Sequence, residues 1–272
     1  MASASGYREH VATYLDRILA EHRAAAEADS RSLTELAERC SRCGPARGFG
    51  RALAGSDQLA VIAEIKRRSP SKKNLALHLD PTSLALAYEA GGAACLSVLT
   101  EPANFGGSPE DLQTARAAVQ LPVIRKDFTV SLHDIFDARL MGADCVLLIV
   151  AALNDDELAS FAALATELGL DVLLETHDEV ELQRALAASP TGLIGVNQRD
   201  LATFEVDQER AVRVAEAIPA SRVAIAESGV RGVADAEALA GAGYQAVLVG
   251  EYLVTSPDPT LAIEQLRVSL RN

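Results

Sequence analysis

Several polar side chains stand where apolar runs end. Glu64 and Lys66 close AVIAEI, Lys126 and Asp127 close PVIRK, and Glu175 sits inside VLLET. Asn197 ends GLIGVN with Arg199 just beyond it, and Glu227 and Ser228 close VAIAES. A carboxylate inside such a run is costly unless it is paired or faces a solvated functional cavity. One such residue would fit a structural ion pair; convergence from five runs points to an active site. Two lysines and three carboxylates on one rim can perturb each other, holding a lysine charged as a proton donor and leaving a carboxylate to accept a proton. No serine–histidine pair or metal-ligand cluster competes with this acid/base reading. His133 and His177 lie in the polar starts of helices and are expected at the surface.

A second constellation suits an anion. ESGVRG (Glu227 to Gly232) and VGEYL (Val249 to Leu253) each set a glycine beside a potential helix start, where free backbone N–H groups can hold phosphate. KRRSPSKK (Lys66 to Lys73) packs five basic residues into eight positions of a chain whose formal charge is −13. It suits a small anionic ligand over which the loop could close; an ordinary solvated loop is the alternative.

These residues need elements to hold them. From Leu59 onward eight short apolar runs recur: AVIAEI (60–65), ACLSVL (94–99), PVIRK (122–126), CVLLIV (145–150), VLLET (172–176), GLIGVN (192–197), VAIAES (223–228) and AVLVG (246–250). Between them lie helical stretches such as SPEDLQTARAAV and VADAEALAGAG, with Ala and Leu at three-and-four spacing and Ser, Asp or Asn at the starts. Near-continuous apolar strands imply cover on both faces, the condition of a parallel sheet. Eight such units predict an α/β fold, a single (β/α)8 barrel of the TIM type, at its usual size of about 250 residues. A doubly wound sheet would need fewer strands, and its dinucleotide form a GxGxxG after the first one; KRRSPSKKNLA stands there instead.

Residues 1–58 are expected as an N-terminal helical extension and 59–272 as the barrel, one structural domain overall. In HVATYLDRILAEH, Val11, Tyr14, Leu15, Ile18 and Leu19 share a helical face, and SLTELAERC is a second helix. The stripe is expected to pack on the barrel, across one end; a dimer contact is the alternative to a monomer. Cys95 and Cys145 lie in apolar runs as buried small side chains, and Cys40 and Cys43 form a lone CxxC without a second pair for zinc. Net acidity argues against a nucleic-acid partner. No apolar run reaches the roughly 18 residues of a membrane span, and ASASGYREH after Met1 is not a signal sequence, so a cytoplasmic location is expected.

The segments that hold the rim residues resemble indole-3-glycerol-phosphate synthase. The matching stretches are IAEIKRRSPSK, LSVLTEPANFGGS, LPVIRKDF, GADCVLLIV, LLETHD, IGVNQRDL, AESGV and LVGEYL, nearly the full length. The resemblance implies a lyase of tryptophan biosynthesis needing no cofactor and no metal. It would close the ring of 1-(2-carboxyphenylamino)-1-deoxyribulose 5-phosphate to indole-3-glycerol phosphate, with loss of carbon dioxide and water. It implies Lys126 as general acid, Glu175 as general base and Lys66 on the anthranilate carboxylate. Glu64, Asn197 and Glu227 would orient these groups or bind substrate hydroxyls, with Arg199 supporting the polar end. Phe105, Phe128, Leu147, Leu201 and Leu248 would form the apolar slot, although Leu147 and Leu248 also suit plain barrel packing. Ser69, Ser228, Gly229, Gly250 and Glu251 would surround the phosphate. The chain departs from the family pattern at Lys73, Asn104 and Tyr252, positions that bear on rate or substrate fit. Lys66 and the apolar slot argue against another sugar-phosphate isomerase or aldolase-like barrel, and the retained rim charges argue against a barrel that binds phosphate without turnover.

Overall fold

Short β-branched runs alternate with Ala- and Leu-rich stretches, so strand and helix alternate along the chain. The structure, a computed structural model, describes residues 14–69, 72–199 and 205–270. Eight parallel strands close into a barrel: β1 (Ala60–Ile65), β2 (Cys95–Leu99), β3 (Val123–Lys126), β4 (Cys145–Ile149), β5 (Asp171–Thr176), β6 (Leu193–Asn197), β7 (Ala224–Glu227) and β8 (Ala246–Val249). Each pairs with its sequence neighbours, and β8 closes on β1 through Ala60 opposite Ala246 and Ile62 opposite Leu248. Helices follow the strands, several started by a side chain that accepts a backbone N–H: Asp80, Ser108, Ser131, Asn154 and Asp178 all do so.

Alternation along the strands decides what reaches the mouth. In β1, Ala60 and Ile62 join an interior cluster with Ile124, Leu147, Leu173 and Leu248, whereas Val61, Ala63 and Ile65 pack outward with the helices. Two residues beyond Ile62, Ile124, Leu173 and Ile225 of that cluster come Glu64, Lys126, Glu175 and Glu227. The site therefore occupies the last interior layer of the barrel, above its apolar filling.

Three helices precede the barrel: α1 (Tyr14–Ala28), α2 (Leu33–Cys40) and α3 (Phe49–Leu53). The expected stripe is covered, with Ile18 buried and Tyr14, Leu15 and Leu19 half-buried; Val11 lies outside the described residues. This segment does more than cross one end. Arg23 of α1 bonds the backbone of Ala152 and pairs with Glu157 at 2.7 Å, near the C-terminal rim. Leu36 and Cys40 of α2 pack on Phe136 along the barrel's side. Phe49 and Leu53 of α3 enter the interior cluster from the opposite end, where Gly50 N–H donates to Asp171 at 2.9 Å. These contacts tie the segment to the barrel at both ends and along one side.

The stretch after β1 departs from a plain loop. Arg68–Ser69 pairs antiparallel with Lys73–Asn74, and Leu75 and Ala76 N–H both donate to Arg67 O, so the chain turns back as a small ribbon. No described helix is long and apolar enough to cross a membrane.

At the N-terminal end, fully buried Asp144 accepts Arg47 N–H at 2.8 Å and Val123 N–H at 2.9 Å and pairs with Arg116 at 2.9 Å. Removing one partner of a buried charge cluster strands the others. Asp144→Ala should lower unfolding stability in urea by about 3 kcal/mol, while the folded fraction keeps its turnover because this cluster lies at the far end from the mouth.

Candidate active site

Lys126 is the last residue of β3, and its inward position carries the ammonium over the barrel filling. Its Nζ lies 2.8 Å from Glu175 Oε2 and 2.7 Å from Glu227 Oε2. Asn197 Nδ2 donates to the other Glu175 oxygen at 3.0 Å. Across the mouth, Lys66 Nζ meets Glu64 Oε1 at 2.5 Å, and Ser97 Oγ donates to Glu64 Oε2 at 3.2 Å. All six proposed acid/base and orienting residues therefore line one cavity of about 810 Å³.

Two glycines make the crowding possible. A Cβ at Gly195 would overlap the Glu227 carboxylate, and one at Gly250 would overlap the Glu64 carboxylate and approach Lys66 Nζ. Glu227 Oε1 is buried without a hydrogen-bond partner and lies over the bare face of Gly195.

The charges divide unequally. Burial alone would push the Lys126 ammonium down, but Glu175, Glu227 and Glu64 together raise it well above the usual lysine range. Burial raises Glu175 as well, yet Lys126, His177 and the bond from Asn197 hold its carboxyl below the ordinary range. Glu227 moves the opposite way: burial and the neighbouring Glu175 charge outweigh Lys126 and push it up. Two carboxylates on one ammonium have been driven apart, the pattern that assigns distinct proton roles.

RKDF resolves by the same alternation. Arg125 turns outward, where Nη2 meets Asp127 at 3.0 Å and Nη1 donates to Asp134 O at 3.1 Å. Asp127 also accepts the Thr100 hydroxyl and the Phe128 N–H, so its carboxylate braces the loop. Phe128 reaches the cavity wall, its ring 6.3 Å from that of Phe105 and 5.3 Å from His22 of α1. Leu147 and Leu248 belong both to the interior cluster and to the cavity floor. Leu201 lies outside the described residues.

Asn104 is one of the departures from the family pattern, and its neighbours explain it. Its Oδ1 accepts the Tyr14 hydroxyl at 2.6 Å, and its Nδ2 donates to Glu101 at 3.0 Å. Glu101 also accepts the N–H groups of Ala103, Asn104 and Phe105. The amide thus ties α1 to the segment that positions Phe105.

At the other end of the cavity, Ser228 and Gly229 have consecutive positive φ angles, 66° and 77°, which turns successive N–H groups to one side. Gly250 precedes the short helix Glu251–Val254, and Lys72 pairs with Glu251 at 2.6 Å, bringing the basic ribbon over this corner. Ser69 lines the same cavity and its hydroxyl accepts Lys72 N–H at 3.2 Å. Arg199 lines it too, with its backbone N–H bonded to Asn197 Oδ1 at 3.0 Å.

One expectation is corrected. His133 and His177 are not surface residues: their side chains are 18% and 12% exposed. His133 meets Arg31 O at 2.9 Å under the N-terminal segment, and His177 turns inward beside Glu175. Polar residues at a helix start suggested solvent, but the loop folds back over the strand end.

A family model described as indole-3-glycerol phosphate synthase matches residues 15–266. An indole-3-glycerol phosphate synthase of Paenarthrobacter aurescens is 51% identical over 242 residues, covering 88% of this chain and 89% of that protein. Indole-3-glycerol phosphate synthase 1 of Streptomyces coelicolor is 52% identical over 254 residues, covering 93% and 94%. Among solved structures, a thiamine phosphate pyrophosphorylase from Pyrococcus furiosus shares the fold at a TM-score of 0.58 and 16% identity, over 76% of this chain and 93% of that one. With a family match along nearly the whole barrel and relatives about half identical over almost their full length, the chain belongs to the indole-3-glycerol phosphate synthase family.

Proposed function

We propose that this chain closes the indole ring of 1-(2-carboxyphenylamino)-1-deoxyribulose 5-phosphate, giving indole-3-glycerol phosphate, carbon dioxide and water. The observation that carries the reading is Lys126 Nζ held between Glu175 and Glu227, facing Lys66 and Glu64 across one cavity. The phosphate sits by the Ser228–Gly229 turn and Gly250, with Ser69 and the backbone of Glu251 beside it. The aromatic ring lies against Phe105, Phe128, Leu147 and Leu248. Lys66 then grips the anthranilate carboxylate and Arg199 supports the polar end.

In this pose Lys126 donates its proton to the ketone oxygen as the carboxyl-bearing ring carbon attacks the ketone carbon. The ring becomes cationic, and the electrons of the bond to the carboxylate flow into it as carbon dioxide leaves. The new hydroxyl then takes a second proton, from Lys66, and departs as water, and Glu175, held ionised, accepts the proton released as the indole forms. Glu64 keeps Lys66 in place, while Asn197 orients Glu175 and Glu227 holds Lys126 beside the substrate hydroxyls. The positioned groups do this without a metal or nucleotide in the reaction.

Chelator-treated protein given the carboxyphenylamino ribulose phosphate should generate indole absorbance; folded protein that gave none would overturn the assignment. Lys126→Ala should lower kcat by roughly 10²- to 10⁴-fold with little change in KM, because the charge it meets develops only in the transition state. Glu175→Gln should behave alike, since the amide keeps the shape but cannot take the proton. Replacing Gly229 by a bulky residue should chiefly raise KM, because it strains a φ of 77° and displaces a group bound throughout the reaction. Steady-state kinetics with circular dichroism separates the three.

A further inference from the structure

The mechanism above leaves one enclosed titratable ring without a task. His177 directly follows β5, two residues after Glu175, at a strand end fixed by the Thr176 hydroxyl donating to Gly195 O at 2.8 Å. Glu181, in the helix Glu179–Ala188, clamps it from one side. Glu181 Oε2 accepts the His177 backbone N–H at 2.8 Å and meets the ring's Nδ1 at 3.0 Å. The Asp178 side chain caps that helix by accepting Glu181 N–H at 2.8 Å, which fixes where the clamp starts.

The ring's other nitrogen faces the site. Nε2 is buried, has no hydrogen-bond partner and lies 3.8 Å from Glu175 Oε1, the oxygen that Asn197 also serves. With Nδ1–H committed to Glu181, a neutral ring would turn its Nε2 lone pair toward a carboxylate oxygen, which is repulsive. A protonated ring turns an N–H there instead, which is attractive. Burial pushes His177 down most, and Arg210 pushes the same way, but the bond to Glu181 and the charges of Glu175 and Glu181 outweigh them. Arg210 faces the ring from the helix Gln208–Ala215, and it is itself engaged by Asn197 O at 3.4 Å and Asp207 at 4.0 Å.

We propose that His177, oriented by Glu181, is a positioning residue for Glu175: its Nε2 edge keeps that carboxylate ionised once Lys126 turns from it to the substrate. The inference rests on Glu175 being the proton acceptor. Before the reaction, Glu175 has Lys126 on Oε2 and Asn197 with His177 on the Oε1 side. As the ketone draws Lys126 away, Glu175 loses its closest cation while staying enclosed, and enclosure favours its neutral form. A cation on the opposite oxygen, held from outside the cavity, does not take part in that exchange. It preserves an ionised base for the dehydration step.

The test compares His177→Gln, Glu181→Gln and the double variant by the pH profile of kcat. The acidic limb reports a carboxylate that must be ionised; removing a neighbouring cation raises that group, so the limb should move to higher pH, by about one unit in His177→Gln. KM should stay near parental. Glu181→Gln should shift the limb the same way by less, and the double variant no further than His177→Gln. Independently of turnover, the His177 ring resonance, identified by its loss in His177→Gln, should titrate at lower pH in Glu175→Gln than in the parental protein. An unmoved limb in folded His177→Gln, or a ring titration indifferent to Glu175→Gln, would sink the proposal. If Glu175→Gln itself turned over normally, the base assignment would fail instead, so the two failures are distinct.

Discussion

One ammonium shared by two enclosed carboxylates governs the mouth of this barrel. Lys126, Glu175 and Glu227 come from three strands, and none could be left alone in that layer without a large desolvation penalty. Each partner makes a demand on its neighbours. Glu227 needs the missing side chain at Gly195, Glu175 needs the amide of Asn197, and Lys126 needs a strand that ends at the right step of the pleat. The Lys66–Glu64 pair repeats the arrangement over Gly250. The proton inventory of the site is thus a property of the closed sheet: shifting any of these strands by one residue would exchange the inward and outward sets.

The two ends of the barrel use carboxylates for different purposes. At the N-terminal end Asp144 and Asp171 accept backbone N–H groups and, for Asp144, an arginine, so their capacity is spent on fixing the chain. At the C-terminal end the carboxylates face lysines, and one oxygen of Glu227 has no hydrogen-bond partner. Arg125 and Asp127 belong to the first kind although they flank Lys126 in sequence and Asp127 borders the cavity, because their polar atoms are spent on each other and on the neighbouring chain. Charge alone does not distinguish the two kinds; the partners do.

Much of this was legible in the residues. Near-continuous apolar runs located all eight strands to within a residue or so at each end, and polar residues closing those runs marked the mouth. Less legible was whatever depended on a fold-back. His177 looked like a solvent-facing helix start because its two partners, Glu175 and Glu181, flank it at separations that only a turned loop brings together. Asn104 looked like a lost aromatic until α1 supplied the Tyr14 hydroxyl from 90 residues away. Asp127 does border the cavity as its charge suggested, but that its carboxylate is engaged by Arg125, Thr100 and the Phe128 N–H shows only in the fold.

The N-terminal segment has a consequence for how the molecule is made. Its anchors lie far ahead in the chain: Tyr14 on Asn104, Arg23 on Glu157 and Gly50 on Asp171, at separations of 90, 134 and 121 residues. This early segment therefore waits on later ones to find its place. Until β5 has been synthesised, α3 has no Asp171 to bind and the amphipathic face of α1 has no completed wall to cover. A nascent chain stalled before that point carries at most β1 to β4, an open sheet that cannot yet close, beside a helix with an uncovered stripe.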